Sequence, residues 1–195
     1  GTQGENITFT ADEKLKIAMR LDEMGIHYIE GGWPGSNPRD IRFFDLAKRE
    51  QFKTARITAF GSTRKPGINA ADDPNLKAIL KSDTPAAAIF GKSWGLHVRS
   101  IMDNTLEENL AMIADSVAFL KANGREVIYD AEHFFDGFKD APDYALETLA
   151  VALNAGADFV VLCDTNGGSL PHEVESITQS VTEDLKMRFG AGQKL

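Results

Sequence analysis

The chain has 195 residues, 43% of them hydrophobic and 26% charged, with a formal net charge of −8. That length suits one sizeable core, and the acidic balance without a Lys/Arg-rich run argues against binding nucleic acid or an anionic membrane. Cys163 is the one cysteine, so no intrachain disulfide can form, which suits a reducing cytoplasm, and no apolar stretch approaches the roughly 18 residues of a membrane span.

The chain opens on Gly1 rather than methionine, in the polar run GTQGENITFT, and reads as a piece of a longer chain or one lacking its first residues. Thr10-Ala11-Asp12-Glu13 is a capping-box pattern. Leu15, Ala18, Leu21 and Met24 then recur at helical spacing with Ile17 beside them, and Gly25 is the natural stop. HYIEGG, 27–32, predicts a strand; Pro38 opens a helix with Ile41, Phe44 and Ala47 on one face. RITAFG, 56–61, is the next strand, and a helix follows over 74–81.

AAAIFG, 86–91, is another apolar run ending in glycine. Thr105 and Glu108 form a second capping-box pattern, with Glu107 and Glu108 as helix-start acids. Leu106, Leu110, Ile113, Val117 and Leu120 step by four, three, four and three, the clearest amphipathic helix in the chain, and Gly124 ends it. EVIYDAE, 126–132, predicts a strand. Pro142 opens a helix carrying Leu146, Leu149 and Leu153; 159–164 is the last strand; Pro171 begins a helix with Val174, Ile177, Val181 and Leu185.

The order is a helix followed by five strand–helix repeats, spaced about 30–40 residues as βα units are. The absence of hairpin turns predicts a parallel sheet, and apolar rather than alternating strands predict that both faces are covered. Two α/β architectures fit: a doubly wound open sheet, or an arc of a (β/α)8 TIM barrel. The leading helix has no strand before it, which favours an incomplete barrel with about five of eight parallel strands: residues 1–195 as a partial catalytic domain lacking the first strand and the last two.

Both architectures put ligands at the carboxyl ends of strands. Those ends are Glu30, Phe60-Gly61-Ser62, Phe90-Gly91-Lys92, Asp130-Ala131-Glu132-His133 and Asp164-Thr165-Asn166. Carboxylates, a histidine and small polar groups on one rim suit an anionic or carbonyl substrate, with a metal. Each has a plainer reading alone. Glu30 fits a salt-bridge partner, Asp130, Glu132 and His133 a helix start, and Asp164–Asn166 a turn. His97 in SWGLH fits a structural or surface residue and Cys163 a small buried hydrophobe. Trp33 and Trp94 fit either a pocket wall or a cover over the barrel mouth.

Taken together, GTQ, YIEGGWPGSNP, AFGSTRK, IFGKSW, YDAEHFFDG and LCDTNGG resemble the citramalate synthase branch of the 2-isopropylmalate synthase/homocitrate synthase family, over essentially the whole chain. The resemblance implies a barrel enzyme that condenses acetyl-CoA with a 2-oxo acid, pyruvate in this branch, with a divalent metal, Mg²⁺ or Mn²⁺, to give citramalate for isoleucine synthesis. It implies a cytoplasmic homodimer. Residue by residue, it places Glu132 as the base on acetyl-CoA. It makes Gln3 a residue near metal and substrate, Glu30 the acid that orients groups around the metal, His97 a histidine at the mouth, and Thr165 the hydroxyl on the oxo-acid carboxylate. The family's catalytic Arg and metal-binding Asp precede GTQ, and its His-x-His metal motif follows the last helix, so the metal ligands lie outside these 195 residues. Rival readings are a hydroxyacyl-CoA lyase of the same superfamily, an inactive barrel fragment, and a doubly wound regulator or nucleotide binder. The last lacks a GxGxxG or Walker loop to support it.

Overall fold

The computed structural model describes residues 4–190. Among them, one five-stranded sheet is built from β1 (Tyr28–Gly32), β2 (Arg56–Ser62), β3 (Ala86–Lys92), β4 (Glu126–Glu132) and β5 (Phe159–Leu162). All four neighbouring pairs are parallel, and the spatial order is β1-β2-β3-β4-β5. A doubly wound sheet reverses its strand order once, whereas a barrel adds each strand beside the last. The strictly sequential order therefore decides for a barrel arc.

Among the described residues eight helices precede, connect and follow the strands: α1 (Ala11–Glu23), α2 (Pro38–Ala47), α3 (Pro74–Lys81), α4 (Gly95–Ser100), α5 (Leu106–Ala122), α6 (Phe134–Asp140), α7 (Pro142–Asn154) and α8 (Pro171–Phe189). The Thr10 box forms in full: Glu13 N–H donates to Thr10 Oγ1, and the Glu13 carboxylate accepts from Thr10 N–H at 2.7 Å. At Thr105 only half forms. Glu108 N–H donates to Thr105 Oγ1, but the Glu108 carboxylate turns to the Arg64 guanidinium at 2.8 Å and to Gly67 N–H.

Strand parity splits the sheet. Ile29, Ile57, Ala59, Ala87, Ile89, Val127, Tyr129, Ala131 and Val160 face the helices and belong to the main core with Phe43, Phe44, Ile79, Ile113, Val117, Leu149 and Val181. The alternate residues Tyr28, Glu30, Thr58, Phe60, Ile128, Asp130, Phe159 and Val161 line a cavity on the other face. Helices of the main core thus pack on one face. The other face is the concave interior of the arc.

Several helix faces differ from the periodicity reading. In α2 the buried residues are Asp40, Phe43, Phe44 and Ala47, while Ile41 is exposed; in α1 Ile17 and Met24 are exposed and Asp22 turns inward. The Asp22 carboxylate accepts the N–H groups of Lys53, Thr54 and Ala55, and these bonds, the Ala55 one foremost, hold it below the usual carboxylate range. A polar residue in the apolar stripe here fastens the start of β2. Helices α4 and α6, absent from the sequence reading, are short helices of six and seven residues after β3 and β4, and no side chain caps either.

Candidate active site

The concave face encloses a cavity of about 950 Å³. Alternate residues of β1, β2, β4 and β5 line it, as the pleat dictates, and it continues past the β1 edge to Ile29 and Gly31 and to Lys14, Leu21, Arg39 and Asp40 of α1 and α2. Phe60 and Trp33 make one wall, backed by Phe90: Phe60 and Phe90 stack at 5.5 Å, and Trp33 meets both edge-on at 6.1 and 5.8 Å. Trp33 is therefore a pocket wall, held by its indole N–H donating to Asn75 Oδ1.

Inside the cavity Glu30 and Asp130 form an acidic pair. Burial, and then the charge of Glu30, pushes the Asp130 carboxyl up to about 7, and burial also raises Glu30. Cys163 follows Asp130 and Glu132 in feeling this field. Burial, with Asp130, Glu132 and Glu30 in that order, raises its thiol to about 12. Cys163 is half-buried and beside these carboxylates rather than the small buried hydrophobe expected.

At the mouth, the parallel register sets Lys92 opposite Glu132, and the two form an ion pair. Just above lie two histidines. The rings of His97 and His133 meet edge-on with centroids 4.5 Å apart, and Trp94 covers His97 at 4.6 Å. Trp94 is anchored by its indole N–H to Asp140. Burial first, then His133 and Lys92, keep His97 below the ordinary imidazole value. Thr165 Oγ1 accepts the backbone N–H of His133 at 2.9 Å, and Asn166 donates to Asp136. Asp164 accepts from the N–H and hydroxyl of Ser169, so it closes its own turn, as the plainer reading had it.

Glu30 thus lies within the cavity, while Glu132, His97 and Thr165 lie together at its mouth. Gln3 lies outside the described residues. Among the described residues no three His, Cys, Asp or Glu side chains are placed together to hold a metal ion. The donor set among the described residues does not amount to a metal centre.

A family model described as HMGL-like matches residues 1–191. The chain belongs to the HMGL-like family. This HMGL-like chain is 55% identical over 186 residues to the (R)-citramalate synthase of Aquifex aeolicus, covering 95% of this chain and 35% of that one. It is 51% identical over 190 residues to the (R)-citramalate synthase of Geobacter sulfurreducens, covering 97% and 36%. The chain therefore spans about a third of the length of these curated relatives. The crystal structure of the Bacillus subtilis HMG-CoA lyase aligns with a TM-score of 0.73 at 20% identity, over all of this chain and 63% of that one, a likeness of fold.

Three features of this HMGL-like site escaped the sequence reading: the Lys92–Glu132 pair, the Asp130–Glu30 pair, and the Phe60–Phe90–Trp33 wall. All seven residues stood at or just beyond predicted strand ends. The parity of positions 60, 90, 92, 130 and 132 was a usable signal, but which of them meet depends on strand register.

Proposed function

We propose that the protein containing this chain condenses acetyl-CoA with pyruvate to give citramalate and free CoA, with residues 1–195 forming part of a TIM-barrel catalytic domain. The observation that supports this most is the identity of 51–55% with (R)-citramalate synthases over nearly the whole chain. In this reading the Glu132 carboxylate at the tip of β4 takes a proton from the methyl group of the thioester. The enolate carbon attacks the ketone carbon of the oxo acid, forming the carbon–carbon bond. Water then cleaves the thioester, releasing CoA and the free acid.

The other groups have matching tasks. Thr165 bonds the oxo-acid carboxylate; His97 stands at the mouth; Glu30 orients groups deeper in the cavity, and Gln3, outside the described residues, keeps the role near metal and substrate that the resemblance implies. The aromatic wall suits a methyl substituent on the ketone better than a longer chain. A divalent cation, Mg²⁺ or Mn²⁺, belongs to the reading as the expected Lewis acid, with its ligands outside the residues described. The same reading makes the protein a cytoplasmic homodimer of isoleucine biosynthesis. None of the described helices is long and apolar enough to cross a membrane.

The test uses the full-length protein with acetyl-CoA and pyruvate, following free thiol and identifying the product by NMR. Citramalate with stoichiometric CoA is expected, and Glu132→Gln lowers turnover by about 10²-fold or more. Near-normal turnover would remove Glu132 from the base role. Cleavage of a hydroxyacyl-CoA without any condensation would sink the synthase reading in favour of a lyase.

A further inference from the structure

The Lys92–Glu132 pair is built from both sides of the sheet. Register alone puts the two residues opposite one another, on the concave face, at the tips of β3 and β4. Their side chains are 19% and 22% exposed, so the ammonium and carboxylate are mostly withdrawn from water yet open to the mouth. The Lys92 ammonium also lies 6.0 Å from the centre of the Phe90 ring, a cation–π distance.

The backbone beneath the pair is locked. Asn109 of α5, fully buried, donates to the Lys92 carbonyl at 2.9 Å and to the Tyr144 hydroxyl of α7 at 2.8 Å. Ser93 N–H donates to the Glu132 carbonyl at 3.2 Å, and Ser93 Oγ accepts from buried Thr148 at 3.1 Å. Two helices and a cross-strand bond thus fix the starting points of both side chains. Around them stand His97 of α4, His133 beyond β4, Asp136 of α6, Cys163 after β5, and Asp130 and Glu30 within the cavity. An ion pair that served stability alone gains little from a place at a cavity mouth.

We propose that Lys92 is the positioning residue for Glu132: its ammonium holds the carboxylate at the mouth in one orientation and offsets the negative charge of the cavity where anionic substrates enter. This rests on the proposed condensation with Glu132 as base. Lys92 acts through Glu132 and transfers no proton itself.

The experiment uses the full-length protein with Lys92→Met and Lys92→Arg, each alone and with Glu132→Gln, and melting curves to confirm folding. Lys92→Met is expected to lower kcat by about 10- to 100-fold with KM for either substrate within about threefold. Lys92→Arg, which keeps the cation, recovers most of that loss. In the Glu132→Gln background, Lys92→Met costs less than about twofold, because its partner is already gone. Unchanged kcat, fully multiplying effects, or a raised KM for the oxo acid at unchanged kcat would each overturn the proposal; the last would make Lys92 a direct substrate contact. Independently of activity, acetic anhydride labelling read by peptide mass should modify Lys92 several-fold more slowly in wild type than in Glu132→Gln. Equal rates overturn the pairing. If wild type releases no CoA from acetyl-CoA and pyruvate, the functional reading fails while the labelling still decides whether Lys92 holds Glu132.

Discussion

The backbone N–H of His133 donates to Thr165 Oγ1 at 2.9 Å, tying the end of β4 to the end of β5. His133 sits there at φ 55°, a left-handed conformation unusual for a residue with a side chain. One hydroxyl thereby steadies the turn after Glu132, and in the proposed reaction it also bonds the oxo-acid carboxylate. Thr165→Ala should raise KM for pyruvate about tenfold and lower kcat less, whereas Thr165→Ser should stay near wild type. Unchanged kinetics in Thr165→Ala would remove Thr165 from substrate binding.

Asp130 makes stability fall with pH over a defined window. Its folded carboxyl is raised to about 7, first by burial and then by Glu30, against an unfolded value of about 3.9. Between those values the folded state binds more protons than the unfolded state. Stability from this group is full below pH 4, declines as pH rises to about 7, and stays lost above. Asp130→Asn should therefore be more stable than wild type at pH 8, by about 2 kcal/mol after allowing for partial exposure, and equal to it near pH 4. Urea midpoints at the two pH values check this; a constant difference would contradict it.

Gly137 lets α6 lie on the end of β3. A Cβ there would overlap the Ser93 carbonyl oxygen, a backbone atom that cannot swing away. Gly137→Ala should destabilise by about 2 kcal/mol or more and disturb the Trp94–His97 stack, readable in tryptophan fluorescence. Gly67 is the control. It has φ +69° and open space around it, so Gly67→Ala should cost only about 1 kcal/mol and leave fluorescence unchanged.

Phe60 stacks on Phe90 and closes the cavity on one side. If this wall limits the oxo acid to a methyl group, Phe60→Ala should raise kcat/KM for 2-oxobutanoate relative to pyruvate by about tenfold. A ratio that does not move would place the substituent elsewhere in the cavity.

Much of the fold was legible because its signals are local. The Thr10 box, the helix starts at Pro38 and Pro74 and the apolar steps of α5 involve residues within one or two turns. Where such signals failed, a distant partner intervened. Glu108 left its own cap for Arg64, 44 positions away, and Asp22 faced inward to hold residues 53–55. The short helices α4 and α6 begin at Trp94 and His133, which cap nothing, so their start is set by what surrounds them.

The amino-acid sequence by itself determined which segments become the five strands and the six longer helices and that acidic and hydroxyl groups collect at strand ends, because period and capping chemistry act over three or four residues. Only the tertiary structure decided the sequential strand order, the one concave face, and the meeting of Lys92 with Glu132 and of Glu30 with Asp130. Those pairings join residues 40 and 100 positions apart, and cross-strand register, which no short stretch of chain specifies, brings each pair to one side of the sheet.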